Sequence, residues 1–383
     1  MGDHAMMPEW PRYDDEEAKA LLEVLNSGKW GSTSGDTVAT FEREFAAYQQ
    51  AGHAICLANG TLAIAVALRA AGVGIGDEVI VPPYTFIATA SAALFVGAVP
   101  VFADVDPDTH LLDPAAAEAA ITERTKAIVV VHLAGRPADL DAFTALGERH
   151  GLTIVEDAAQ AHGAAYKGRP VGAIGDLGTF SFQSSKNITA GEGGVVLTDS
   201  AELAGAVYSL VNVGRVPGGG WYQHESVGYN LRLTEFQAAV LRVQLRRHPE
   251  LQALRERNAR HLTDALSTVE GVHLAPEDPA ITAHGRHLFM LRIPNHRDAV
   301  LKSLTASGFD KASPGYVPLH RNTAVLQEAT AITNRLGQPY PHPPCPNADT
   351  LSQETLWLPQ PYLLATPTQT QSLATAITNA LPR

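Results

Sequence analysis

Thr153-Ile-Val-Glu-Asp157-Ala-Ala-Gln160, followed by Gly178-Thr-Phe-Ser181-Phe-Gln-Ser-Ser-Lys186-Asn-Ile-Thr-Ala-Gly-Glu-Gly-Gly194-Val-Val-Leu197, decides the fold. The first run predicts a short apolar strand ending on two carboxylates. The second predicts a strand that enters a small, glycine-rich loop and leaves it as another strand. Strands that are apolar almost throughout, without polar alternation, are buried on both faces. Working outward, similar runs occur at Ala54–Leu57, Glu78–Val81, Val99–Phe102 and Ala127–Val131. Alanine-rich helical runs such as Thr61–Ala70 and Asp139–Arg149 lie between several of them. This alternation predicts an α/β fold with a large, mostly parallel sheet covered by helices on both faces. The strands ending at Ser181 and starting at Gly194 are joined by a loop, so the sheet is expected to be mixed there.

Around Leu241–Ala265 the pattern becomes a long charged helix, with arginines at 242, 246, 247, 255, 257 and 260. It predicts a link to a smaller C-terminal α/β domain, which holds a strand at Leu288–Ile293 and a last helix over Thr370–Leu381. The expected division is residues 1–248 and 249–383. Prolines and glycines thicken between Pro314 and Pro346, and that stretch is expected to be a long irregular loop.

At 383 residues, 45% hydrophobic and 18% charged, the composition is that of an ordinary globular protein large enough for two domains. The net charge of -12 and the lack of a basic run argue against nucleic acid and anionic membranes. Two cysteines, Cys56 and Cys345, make no disulfide framework and fit a reducing compartment. No basic-then-apolar leader opens the chain, so a cytoplasmic location is expected. The first six residues, Met1-Gly-Asp-His-Ala-Met6, suggest an appended segment. The 15 histidines show no metal-site spacing.

Several motifs point to one chemistry. Leu57-Ala-Asn59-Gly60-Thr61 ends a strand and begins a helix, where free N–H groups and partial positive charge suit a phosphate. The same residues would also serve as an ordinary turn and cap. Pro82-Pro-Tyr84-Thr85-Phe86 offers two aromatic rings after a strand. Asp157 ends its strand where ligands bind in open α/β sheets. Lys186 lies in an apolar, poorly solvated loop that favours its neutral, nucleophilic form. A lysine that can condense with an aldehyde and an acid that can hold a pyridine nitrogen protonated are what pyridoxal 5'-phosphate (PLP) requires. Gly72-Val-Gly-Ile-Gly76 looks like a dinucleotide loop, but it joins a helix to a strand and is expected to be a turn.

The ordered set Asn59-Gly-Thr, Pro83-Tyr-Thr-Phe-Ile-Ala, Glu156-Asp-Ala-Ala-Gln, Ser181-Phe-Gln-Ser-Ser-Lys and Gly228-Tyr-Asn-Leu-Arg232 resembles the DegT/DnrJ/EryC1/StrS sugar aminotransferases, fold-type I PLP enzymes. The resemblance runs from Pro8-Glu-Trp-Pro-Arg-Tyr13 to Leu356-Trp-Leu-Pro359. It implies an aspartate-aminotransferase-like fold and a homodimer with shared active sites. Lys186 resembles the Schiff-base lysine, Asp157 the pyridine-nitrogen partner, Phe86 the stacking ring and Gln160 the partner of the phenolic oxygen. Gly60, Thr61 and Ser181 match phosphate contacts, and Asn230 is similar to the asparagine that reaches the neighbouring subunit's phosphate. Gln183 falls where members face substrate. Tyr222, Arg232, Tyr316 and His320 are further expected substrate-facing residues, from loop position. Within the family the chain is similar to the branch of 3-amino-5-hydroxybenzoate synthases and cyclitol (inosose) aminotransferases. It departs from the synthases at Gln160, where they carry histidine, and at Ser184-Ser185, where they carry Asn-Gly. The implied activity is transfer of an amino group from L-glutamine or L-glutamate to a ketosugar or cyclitol ketone. A synthase-like dehydration of an aminodehydroshikimate-type ring is the alternative.

Overall fold

A computed structural model describes residues 7–382; the suggested appended segment, residues 1–6, lies outside the described residues. Seven strands form the main sheet: β1 (His53–Leu57), β2 (Glu78–Val81), β3 (Val99–Phe102), β4 (Thr125–Val131), β5 (Thr153–Asp157), β6 (Leu177–Ser181) and β7 (Gly194–Thr198). Their order across the sheet is β1-β7-β6-β5-β4-β2-β3. Only β7 runs antiparallel to its neighbours, pairing with β6 and β1. The expected mixed sheet is thus present, and the loop between β6 and β7 is where the chain reverses. Every residue of β2, β3, β6 and β7 is buried, as both-face coverage requires.

Three helices matter for the site: α1 (Gly60–Ala70), α2 (Ala88–Phe95) and α3 (Glu235–Leu266). Helix α1 starts directly after β1, and Asn59 caps it by accepting the Leu62 N–H at 2.9 Å. Helix α3 runs unbroken through the expected boundary, with Pro249 inside it. Its first half packs on the main core, and from Ala259 onward it enters a second apolar core. That second core is built on the antiparallel pair β8 (Leu288–Arg292) and β9 (Thr355–Pro359) and on the last helix, Pro367–Ala380.

The stretch from Pro314 to Pro346 is more ordered than its composition predicts. Asn322 accepts the N–H groups of Ala324 and Val325 and starts a helix at Thr323–Arg335. Val325, Ala329 and Thr333, four residues apart, are its buried face. The prolines flank this helix and do not interrupt it. Residues 72–77 form a turn, as expected. Cys56 and Cys345 are free, buried thiols. No helix among the described residues is long and apolar enough to cross a membrane.

Candidate active site

The carboxyl ends of the parallel strands and the N-terminus of α1 enclose a cavity of about 1070 Å³. Gly60, Thr61, Phe86, Asp157, Gln160, Ser181, Gln183, Lys186 and Tyr316 all line it.

At one end is the start of α1. The first N–H groups of a helix have no partner inside it, and here Gly60 and Thr61 present that end to the cavity beside Ser181. A side chain at Gly60 would put a Cβ 2.6 Å from Cβ of Ser181. Glycine is therefore what lets the helix end approach the sheet, leaving a cradle of backbone N–H groups and a hydroxyl.

Asp157 ends β5, buried beneath the cavity floor. The Thr89 hydroxyl donates to its Oδ2 at 3.0 Å and the Ala159 N–H donates to Oδ1 at 3.2 Å. Burial still pushes this carboxyl above the usual value; Thr89, Ala159 and the charge of Lys186 act the other way. A cationic ligand nitrogen would remove that penalty. Next door, Glu156 is a buried carboxylate with four donors. Gly172 N–H (2.6 Å) and His132 Nε2 (2.9 Å) reach Oε2, while Ile174 and Gly175 N–H groups (both 2.7 Å) reach Oε1. His132 Nδ1 accepts from Ala138 N–H at 3.0 Å, so the ring proton sits on Nε2 and donates to Glu156. Burial alone would raise the Glu156 carboxyl; the hydrogen bond from His132, with the Gly172 and Gly175 N–H groups, brings it below its ordinary value. This pair anchors the end of β5 to β4 and to the turn before β6, which fixes Asp157.

Lys186 is carried by the loop between β6 and β7. Phe182 N–H donates to Gly193 O at 2.8 Å and Ala190 N–H donates to Phe182 O at 3.1 Å, which draws the loop into a closed turn. Behind it, the rings of Phe41, Phe45 and Phe182 pack at 5.4–5.6 Å. Asn187 donates to Gly285 O at 2.6 Å, pinning the loop to the segment before β8. Burial pushes the Lys186 ammonium down to about 8, with the Asp157 carboxylate acting against the shift.

Gln160 is oriented from both ends. Its Oε1 accepts from Ala134 N–H at 2.7 Å, and its Nε2 donates to the Tyr316 hydroxyl at 3.2 Å. Phe86 is 53% exposed, an open ring face at the cavity mouth. Tyr84 is instead buried against Tyr316 and Trp357.

Four expected residues stand outside this cavity. Tyr222 is 87% exposed on the loop before Asn230, which is itself exposed. Arg232 donates to Asn212 Oδ1 at 2.9 Å. His320 is buried, with Nε2 3.2 Å from Asp349. Behind the Lys186 loop, His162 is packed on Phe180 and Phe182. Sequence reasoning gave no site role to Thr89, His132 or Gln360. Thr89 alone had a signal, being three residues after Phe86 and so in reach of the same strand ends.

A phosphate cradle, a buried acid, an open aromatic face and a lysine with a depressed pKa fit PLP, and fold and site together define a fold-type I PLP enzyme. The chain belongs to the DegT/DnrJ/EryC1/StrS aminotransferase family, whose model matches residues 11–377. It is 39% identical over 391 residues to 3-amino-5-hydroxybenzoate synthase of Amycolatopsis mediterranei (strain S699), covering 98% of this chain and 97% of that protein. It is 45% identical over 336 residues to L-glutamine:2-deoxy-scyllo-inosose aminotransferase of Streptomyces lividus, covering 82% and 79%. Among solved structures, 3-amino-5-hydroxybenzoic acid synthase superposes with a TM-score of 0.90 at 38% identity over 98% of both chains. The aminotransferase from Psychrobacter cryohalolentis gives 0.88 at 34%, over 97% of this chain and 98% of that one.

Proposed function

We propose that this enzyme transfers an amino group from L-glutamine or L-glutamate to the ketone of a ketosugar or cyclitol. The observation that carries the reading is the convergence of Lys186, Asp157 and the α1 N-terminus on one cavity. PLP, when bound, supplies an aldehyde that condenses with amines and a pyridinium ring that takes up electrons. The chain's residues supply the rest. Gly60, Thr61 and Ser181 hold the phosphate, Phe86 covers the ring, Gln160 donates to the phenolic oxygen and Asp157 keeps the pyridine nitrogen protonated. Lys186 would be the residue that anchors the cofactor. When free, its Nζ would be placed to move a proton at the donor's Cα, as a general base and then acid. The ketone half-reaction runs the same proton path in reverse, giving ping-pong kinetics. Gln183 and Tyr316 face the substrate. Burial pushes the Tyr316 phenol up, so it stays a hydroxyl donor.

A homodimer completes this reading. Trp221, Tyr222, Val227 and Tyr229 are exposed apolar side chains on the segment that carries Asn230 and leads to Arg232. A second copy covering them would bring Asn230, Tyr222 and Arg232 to its partner's cavity. This chemistry needs only a small-molecule ketone and an amino acid, with no nucleic acid or membrane partner.

The test is the visible spectrum of the purified protein before and after L-glutamine and, separately, L-glutamate. Loss of the cofactor's yellow band with one donor, restored by a cyclic polyol ketone, supports transfer. The 39% likeness to a hydroxybenzoate synthase over nearly the whole chain favours one second reading, dehydration of an aminodehydroshikimate-type ring. Formation of an aromatic chromophore from that compound would select it.

A further inference from the structure

An amino-acid donor brings a carboxylate into the cavity, yet no arginine is among the described residues that line it. One lies directly behind the wall. Arg255, on α3, is fully buried. Its Nε and Nη2 both donate to one neutral atom, Oε1 of Gln360, at 2.9 and 2.7 Å, and its Nη1 has no partner. Arginine offers donors only, so the atom of Gln360 that faces it must be the oxygen. The amide's NH2 group is thereby turned away from Arg255. Gln360 is 1% exposed, it lines the cavity between Pro359 and Pro361, and its Nε2 has no partner. Native proteins leave few buried donors without an acceptor.

We propose that Nε2 of Gln360 binds the α-carboxylate of the amino-acid donor, with Arg255 as the positioning residue that fixes the amide and lends it charge. The inference rests on the aminotransferase reading above. It also explains why the guanidinium is set back. One cavity must take a charged amino acid and a neutral polyol ketone in turn. A guanidinium in the wall would be left desolvated and unpaired whenever the neutral substrate entered. An amide donates to a carboxylate or a hydroxyl alike, while Arg255 keeps its bonds to Gln360 in both states. The Trp10 ring, 5.2 Å from the guanidinium carbon, also offsets its charge. Burial and the charge of Arg12 push Arg255 down to about 9, so it remains a cation at neutral pH. Lys311 also lines the cavity, but it is exposed, and a hydrated ammonium gives little orientation.

The experiment titrates the PLP-loaded enzyme with glutarate, which is glutamate without its amine, and reads binding by calorimetry. Gln360→Glu keeps an acceptor for Arg255 and nearly the same volume, but replaces the donating NH2 group with an oxygen. Glutarate Kd and donor KM are expected to rise at least about tenfold. The thermal midpoint and cofactor absorbance should match wild type, and ketone KM should change far less. Arg255→Lys, which cannot hold the amide with two bonds, is expected to move donor KM in the same direction. A merely structural role would leave glutarate Kd untouched in Gln360→Glu, and that result overturns the proposal, as does a loss seen instead in Lys311→Met. If Gln360→Glu does not fold, Gln360→Met, which removes the donor without adding charge, carries the same readout. Failure of the aminotransferase reading shows separately, as wild-type absorbance that neither donor changes; glutarate binding still decides the carboxylate site.

Discussion

The pH dependence of cofactor capture by Lys186 tests how the loop activates its amine. Only the neutral amine attacks an aldehyde, and burial lowers this ammonium from its ordinary 10.5 to about 8. At pH 7 roughly one amine in ten is then neutral, against roughly three in ten thousand for a solvated lysine, a gain of about 300-fold. The rate at which cofactor-free protein captures PLP, followed by absorbance at fixed concentration, should rise with pH and level off above about 8. Asp157 acts on the same amine in the opposite direction. Its carboxylate favours the ammonium, so Asp157→Asn should move the inflection further below 8. Each curve is scaled to its own plateau, which separates the inflection from affinity. A wild-type rate still climbing toward pH 10.5, or an Asp157→Asn inflection that moves upward, would refute the argument that burial sets the reactivity of this amine.

Three other perturbations follow from the same geometry. Gly60→Ala forces a Cβ to 2.6 Å from Cβ of Ser181, so the cradle must open; PLP Kd should rise about 10- to 100-fold, read by fluorescence titration, as one or two bonds to a charged group are lost. Glu156→Gln turns an NH2 group against two of the four N–H donors, and urea unfolding should show a loss of about 3–5 kcal/mol. Because the folded Glu156 carboxyl lies below its ordinary value, wild type holds that advantage above the unfolded pKa and loses it as pH falls through the folded one; the gap between the two proteins should narrow in acid. Thr89→Val removes a donor from Asp157 and should raise that carboxyl further, weakening the hold on PLP about tenfold by equilibrium dialysis.

What the sequence made legible divides along physical lines. The strands and the loop that holds Lys186 are local: apolar runs, glycine spacing and a carboxylate at a strand end can each be read within a dozen residues. The helix at Thr323–Arg335 was missed because flanking prolines dominate the composition, while its Asn322 cap and the buried Val325, Ala329, Thr333 face are a sparser signal. Non-local partnerships left no mark at all. His132 and Glu156 are 24 residues apart and meet because β4 and β5 are neighbours. Arg255 and Gln360 are 105 residues apart, one on a helix and one just after a strand, and neither belongs to a motif. The residues proposed for the cofactor therefore lie in contiguous motifs, one of which also carries Gln183, whereas Arg255, Tyr316 and Gln360 are single residues on separate elements. Selection for a new substrate can change such single residues without disturbing the loop and strand ends that hold the cofactor. That separation gives a physical reason why the motifs identify the family more readily than the ketone, and why the search for the ketone should begin at Tyr316, outside every motif.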